Sequence, residues 1–405
     1  MTTIILKPHK EESLKRFHPW VFSGAIGRVV LDKDYPFDAP QEGEVVLVTD
    51  AKNQPLGVGH YQIGSIAVRM LEFGVTELPA DFYEKRIMAA YQLRQSLGLN
   101  RKDNNTYRLV HGEGDFLPGL VVDVYADTAV VQAHSVGMHI ARQQIAEAIL
   151  KAVQEVKNVY YKSDDTLPFK ASIEGEKVGY LKLVDNAQCT MHDEFWSTEN
   201  GLEFRIDWLR GQKTGFFVDQ RENRALLEHY AHGRDVLNMF CYTGGFSVYA
   251  LRGGAQTVHS VDVSEKAVEL VRKNVERNFP NCTHHKAFAQ EAFAFMADIK
   301  DKYDLIILDP PAFAKHRDAI KNALRGYQRL NQKAIEQIRP GGILFTFSCS
   351  QAIDKEMFRL AVFSAAAAVG RKVRILHQLH QPADHPINIY HPEGEYLKGL
   401  VLQVE

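Results

Sequence analysis

Two rhythms of apolar and polar positions divide this 405-residue chain. Over the first 75 or so residues, short apolar and alternating runs are broken by turn residues. Glu44-Val-Val-Leu-Val-Thr-Asp50, Gly57-Val-Gly-His-Tyr61 and Ser65-Ile-Ala-Val-Arg-Met-Leu71 are the clearest, and they predict a small, barrel-like β domain. A helix is expected over 81–98, with Asp81 as its N-cap and Gly98 as its stop. Strands over 119–125 and 128–133, a helix over 136–156 and further strands to about residue 183 make a central α+β piece. From about residue 195 the rhythm becomes an alternation of strand and helix. Strands are expected at 202–207, 235–240, 257–262, 282–288, 303–309, 342–348, 372–378 and 396–404, with helices at 264–279, 291–299, 319–338 and 353–369. That is an α/β, doubly wound and largely parallel sheet, whose ligands belong at the carboxyl ends of its strands. Ser264, Asp354 and Asp219 are expected to cap the helices that follow them. The division expected is 1–75, 76–190 and 191–405.

The stretch Asp235-Val-Leu-Asn-Met-Phe-Cys-Tyr-Thr-Gly-Gly-Phe-Ser247 organises the last part. An apolar strand runs into Gly244 and Gly245, and a helix starts against them, which leaves backbone N–H groups open to a ligand's oxygens. Asp262 ends the next strand, about 20 residues on, the spacing at which an acid holds ribose hydroxyls. On the turn alone, a generic strand–helix connection explains the glycines equally well. The third glycine of a dinucleotide fingerprint is missing, so S-adenosylmethionine, an adenosine without a pyrophosphate, suits the turn better than NAD.

A formal net charge of −2 gives no global case for nucleic acid, so any RNA contact needs a local basic surface. One candidate is the start of the chain, where Lys7, Lys10, Lys15, Arg16, Phe17, His18, Trp20 and Phe22 mix phosphate-binding and stacking side chains. The plainer reading is a solvated basic stretch beside core aromatics. Four cysteines (Cys189, Cys241, Cys282, Cys349) without metal-ligand spacing predict reduced thiols in a cytoplasmic protein and no metal site. Neither a signal peptide nor a membrane-spanning run is visible.

Two strand ends carry candidate chemistry. In Leu305-Ile-Ile-Leu-Asp309-Pro-Pro-Ala-Phe313 an acid follows four apolar residues and is held by two prolines at the lip of the sheet, where it could hold a planar base against Phe313. The competing reading is a plain strand stop. In Ile343-Leu-Phe-Thr-Phe-Ser348-Cys349-Ser350 a thiol lies between two serines at the end of the next strand. A cysteine there is more often a small buried hydrophobe, but a polar setting suits a thiolate.

Taken together, these segments resemble the RlmI-like family of class I S-adenosylmethionine-dependent RNA methyltransferases, which includes 23S ribosomal RNA cytosine-C5 enzymes. The resemblance runs over nearly the whole chain: His18-Pro-Trp-Val-Phe-Ser-Gly24, Leu117-Pro-Gly-Leu-Val-Val-Asp123, Gly211-Gln-Lys-Thr-Gly-Phe-Phe-Val-Asp-Gln-Arg221, Asn238 to Phe246, Asp309 to Lys315, Ser348-Cys-Ser350 and Glu393-Gly-Glu-Tyr-Leu-Lys398. It implies an N-terminal PUA domain that binds RNA, a central α+β linking domain and a Rossmann-like methyltransferase domain. For the cofactor it implies Asn238, Phe240, Tyr242, Thr243, Gly244, Gly245, Asp262, Glu291, Asp309, Phe217, Asp219 and Arg221. For RNA it implies Lys15, Arg16, Trp20, Phe313 and Lys315. Two segments depart from the family: Ser163-Asp-Asp-Thr-Leu-Pro-Phe169 is less charged than usual, and Gln290-Glu291 replaces the usual acid. The resemblance leaves a homodimer open.

The same resemblance implies Cys349 as nucleophile and Asp309 as the group that holds the base. C5 of cytosine is too weak a nucleophile alone, and thiolate addition at C6 activates it. Glu395 is a candidate base for the C5 proton by position only. Two alternatives stay open: a guanine amino- or ring-nitrogen methyltransferase, since Asp-Pro-Pro followed by an aromatic also serves those, and a non-catalytic RNA-binding assembly factor.

Overall fold

The computed structural model describes residues 1–168, 173–183, 194–314 and 317–405; Cys189 and Lys315 lie outside these described residues. The chain divides into two compact units. The first comprises Met1–Glu194, Ile206–Val218 and Ala383–Gly394; the second comprises Phe195–Arg205, Asp219–Pro382 and Glu395–Glu405.

In the first unit a six-stranded sheet runs in the order Trp20–Phe22, Ile66–Phe73, Pro55–Tyr61, Val45–Thr49, Thr3–Leu6, Ile26–Val30. Its two edge strands are joined by the three-residue turn Ser23–Ala25, so the sheet must curl until its edges meet, as expected of a small barrel. Ile4, Leu6, Val46, Val48, Val68 and Met70 fill it. A second sheet runs Val178–Lys182, Asn158–Lys162, Thr128–Ala133, Leu120–Tyr125, Thr106–His111, packed under the helix Phe82–Ser96. The single helix expected over 136–156 is two, Val136–Ile140 and Arg142–Ala152. Gly137 lies so close to His60 that a Cβ there would be 2.1 Å from the ring. The first segment thus packs on the barrel, while Ile145 and Ile149 of the second belong to the core of the other sheet.

The second unit is built on seven strands: β1 (Asp235–Met239), β2 (Thr257–Asp262), β3 (His285–Ala289), β4 (Leu305–Leu308), β5 (Gly342–Ser348), β6 (Val373–His380) and β7 (Lys398–Val404). Their order is β3-β2-β1-β4-β5-β7-β6. The first five are parallel, and β7 pairs antiparallel with both β5 and β6. β4 and β5 are buried along their whole length, as strands covered on both faces require. Among the described residues the longer helices of the unit are α1 (Arg221–Ala231), α2 (Gly245–Arg252), α3 (Glu265–Asn278), α4 (Ile320–Gln337) and α5 (Lys355–Val369). Ser264 and Asp354 cap α3 and α5 through the amides of Ala267 and Met357.

Three further expectations need correcting. The strand expected at 202–207 is outside the large sheet: Leu202–Ile206 forms a two-stranded sheet with Phe195–Glu199. Asn200 and Gly201 both have positive φ, 48° and 79°, the turn that an Asn-Gly pair favours in a hairpin. Asp219 caps no helix, because Gln220 occupies the N-cap of α1 and Asp219 Oδ2 accepts the Tyr396 hydroxyl at 2.6 Å. The helix expected over 291–299 shrinks to Ala292–Phe295 and a short 3-10 turn.

Candidate active site

The carboxyl ends of β1, β2, β4 and β5 bring the predicted residues of the second unit into one region. Met239 pairs with Leu308, and Leu308 with Thr346, so Phe240 and Asp309 leave the sheet side by side, with Cys349 three residues beyond Thr346 on the adjacent strand.

The turn after β1 is conformationally costly. Phe240, Tyr242 and Gly244 have φ of 59°, 45° and 81°, and the two non-glycine residues each cost on the order of 1 kcal/mol or more in that region. Their surroundings hold them there. The Tyr242 amide donates to Asp262 Oδ2 at 3.0 Å, Cys241 N to Val261 O at 3.1 Å, and Gly244 N to Cys241 O at 2.7 Å. Asp262 also accepts from Ser264 N at 3.0 Å, so one carboxylate ties the ends of β1 and β2 together. Thr243 is buried and its carbonyl accepts from Asn274. Asn238 is buried too, donating to Ser247 at 2.9 Å.

Both glycines are needed for packing. A Cβ on Gly244 would lie 2.8 Å from Val271 of α3, and one on Gly245 would lie 2.9 Å from Cδ of Arg224. Arg224 is held there by a fully buried, bidentate pair with Glu199 (2.9 and 2.7 Å), which Tyr249 also joins at 3.0 Å. Sequence reading missed this support.

Asp309 accepts from Gln220 Nε2 at 3.0 Å, and Gln220 in turn accepts from Asn223 at 2.6 Å. Arg221 is buried at the start of α1. Glu291 caps the helix Ala292–Phe295 through Ala294 N and is exposed. Phe217 is counted with the first unit, where the Lys213 ammonium lies 4.8 Å over its ring.

Cys349 is half-buried between the fully buried Ser348 and Ser350. The Tyr327 hydroxyl lies 3.0 Å from each of those serine hydroxyls, and Phe313 packs on the Tyr327 ring at 4.6 Å. Sequence reading did not single out Tyr327. The other cysteine at the strand ends, Cys241, is buried; burial pushes its thiol well above the ordinary value and the Asp262 carboxylate pushes it further. Glu395 is ion-paired with Lys355.

On the first unit, Lys15 and Arg16 are exposed, Lys15 lying 3.6 and 3.5 Å from Glu11 and Glu12. Trp20 is half-buried, its indole N–H donating to Glu113 at 2.8 Å and its ring 4.2 Å from His391. Phe17 and Phe22 are exposed there.

No helix among the described residues is long and apolar enough to cross a membrane. Among the same residues no group of three or more His, Cys, Asp or Glu is placed to hold a metal ion.

Comparison with known proteins identifies the class of cofactor. A family model described as S-adenosylmethionine-dependent methyltransferase matches residues 187–391, and one for a PUA-like domain matches residues 4–73. "Ribosomal RNA large subunit methyltransferase I" of Tolumonas auensis is 38% identical over 407 residues, 99% of each chain. The protein of the same name from Shewanella denitrificans is 36% identical over 412 residues, again 99% of each. A solved Streptococcus mutans protein assigned as a SAM-dependent methyltransferase superimposes with a TM-score of 0.81 over 100% of both chains at 22% identity, which speaks for the fold. The chain therefore belongs to the S-adenosylmethionine-dependent methyltransferases, in the family whose members are named ribosomal RNA large subunit methyltransferase I.

Proposed function

We propose that the protein methylates C5 of a cytosine in large-subunit ribosomal RNA, with Cys349 as the covalent nucleophile. The observation that carries this reading is the pairing of Leu308 with Thr346, which puts Asp309 and Cys349 at the same end of adjacent strands. Bound S-adenosylmethionine supplies an electrophilic methyl group on a sulfonium centre. The Cys349 thiolate adds to C6 of the base, and C5 gains carbanion character. Asp309, steadied by Gln220, holds the polar edge of the ring. C5 takes the methyl group as its bond to the sulfonium sulfur breaks, and loss of the C5 proton to a base or water then restores the double bond and expels the thiolate.

In this reading Asp262 takes the ribose hydroxyls, and the Asn238–Gly245 segment lines the cofactor, with Glu291 on the adenine side. Phe217, Asp219 and Arg221 complete the cofactor set. Replacing Asp262 by alanine is expected to weaken cofactor binding by roughly 1.5–3 kcal/mol, about tenfold to a hundredfold in calorimetry. An unchanged affinity would remove Asp262 from the site.

Residues 1–75 are proposed to grip RNA, 76–190 to link, and 191–405 to carry the chemistry. A cleft of about 350 Å³ beside Trp20, lined by Lys10, Ser13, Phe22 and Gly24, offers both charge and aromatic surface. Arg16→Ala is expected to lower RNA affinity a few-fold and flatten its dependence on salt by about one phosphate contact. Filter binding across a salt series reads this, and an unaltered slope would place Arg16 outside the RNA path.

Incubation with labelled S-adenosylmethionine and unmodified 23S ribosomal RNA, followed by nucleoside analysis, tests the function. The expected product is 5-methylcytosine. Methylguanine would favour an amino- or ring-nitrogen enzyme, and no product at all would favour an RNA-binding assembly factor.

A further inference from the structure

We propose that Lys398 is a positioning residue for Cys349: its buried ammonium grips the turn that follows the thiol and keeps that thiol ionised. This rests on the reading of Cys349 as nucleophile.

Lys398 opens β7 directly opposite Ser348, the residue before Cys349. It is 4% exposed, an unusual place for an amine that carries no substrate. Its Nζ donates to the carbonyls of Ser350 at 2.6 Å and Ile353 at 2.7 Å. Those two carbonyls bracket the short turn that takes the chain from Cys349 to the Asp354 cap of α5. The lysine therefore fixes the path of the backbone immediately beyond the sulfur.

Two neutral donors could satisfy two carbonyls without the penalty of burying a charge. A positive charge has a further use here, because the groups that act on Lys398 include Cys349. Burial lowers the lysine to about 8; Cys349 opposes that most strongly, followed by Glu395 and Asp354, while Lys355 works with burial. Glu356, Arg359 and His380 line the small cavity beside it. The Tyr327 hydroxyl, bonded to the serines on either side of Cys349, has its ionisation pushed up mainly by burial and stays neutral. Lys398 Nζ, bonded to the Ser350 carbonyl one residue beyond the sulfur and carried by the residue opposite Ser348, places a cation next to Cys349. Ionisation of Cys349 sends its proton to solvent, and the ammonium keeps all of its own.

The sign follows from these positions. Below about pH 8 Lys398 carries its charge and favours the thiolate. As the pH rises past that value the lysine is neutralised and its help fades, while the thiol ionises unaided. The difference between a charged and an uncharged residue at 398 is therefore largest near neutrality.

Alkylation by iodoacetamide between pH 6 and 9.5, with the Cys349 peptide quantified against the Cys282 peptide by mass spectrometry, reads the thiolate without any RNA. Lys398→Gln is expected to slow alkylation of Cys349 about tenfold or more at pH 7, to converge with the wild type at the alkaline end, and to leave Cys282 unaffected. Lys398→Arg is expected to stay close to the wild type. An identical Cys349 profile in Lys398→Gln, or a Lys398→Arg profile that matches Lys398→Gln, would overturn the proposal. Should Lys398→Gln fail to bind S-adenosylmethionine in calorimetry, the wild-type profile decides: alkylation of Cys349 at pH 7 no faster than that of a short unstructured cysteine peptide overturns it. Failure of the parent reading looks different, since Cys349→Ala would then still methylate RNA while the alkylation of Cys349 in the wild type kept its dependence on Lys398.

Discussion

Cys349→Ala is expected to lose RNA methylation by several orders of magnitude while binding S-adenosylmethionine as the wild type does. The size of the effect comes from the chemistry: without addition at C6, C5 of cytosine has no means of attacking a methyl group, and nothing else in the site supplies that step. Cys241 is poorly suited to substitute. It is buried, and both burial and the nearby Asp262 carboxylate raise its thiol, whereas Cys349 is half-exposed at the strand end beside Asp309. Cofactor binding is expected to survive because the turn after β1 is supported by Asp262, Glu199 and Arg224 and not by the sulfur of Cys349. Single-turnover methylation of ribosomal RNA, run beside cofactor calorimetry, separates the two functions. Near-normal turnover by the alanine variant would favour attack by an exocyclic or ring nitrogen instead.

Glu199→Ala is expected to be the most destabilising substitution among the ion pairs of the second unit, at about 3–5 kcal/mol. Glu199 is fully buried and accepts two hydrogen bonds from Arg224 and one from Tyr249. Removing it takes two charge-assisted hydrogen bonds from a guanidinium that is only 3% exposed, and that guanidinium lies against Gly245. Stability and cofactor affinity should therefore fall together. Glu203→Ala is the matched control: its bidentate pair with Arg277 has similar distances but is open to solvent, so a much smaller loss is expected. Urea unfolding followed with and without S-adenosylmethionine measures both. Equal losses for the two variants would mean that burial does not set the strength of the Glu199 pair.

How far the sequence could be read depended on whether the signal was local. β4 and β5 were legible because a strand covered on both faces is a continuous apolar run, and the polar residues that end those runs, Asp309 and Cys349, were legible for the same reason. The glycine turn was legible from Gly244 and Gly245, yet the left-handed backbone at Phe240 and Tyr242 was not, since neither residue type announces it. The hairpin at Asn200-Gly201 did carry a usable signal, the Asn-Gly pair itself, which was outweighed by the strand rhythm downstream.

What stayed hidden was set by contacts between distant residues. Glu199 and Arg224 are 25 positions apart and look like ordinary surface charges until Tyr249 joins them. Lys398 reads as a strand residue until β7 is inserted antiparallel between β5 and β6, an order that periodicity does not encode. In the first unit, Asp384 accepts from the Arg108 amide and its carbonyl from Arg94, 276 and 290 residues away, so the excursion between β6 and β7 belongs with the first unit for reasons invisible in the linear pattern.

The central claim is covalent catalysis by Cys349 at C6 of a cytosine. Ribosomal RNA carrying 5-fluorocytosine cannot lose a proton from C5 after methylation, so the adduct cannot resolve. The wild-type enzyme with S-adenosylmethionine is expected to form a complex that survives denaturation, with the modified peptide mapping to Cys349 by mass spectrometry. An adduct on Cys241, or no adduct under conditions where the unfluorinated RNA is methylated, would contradict the account.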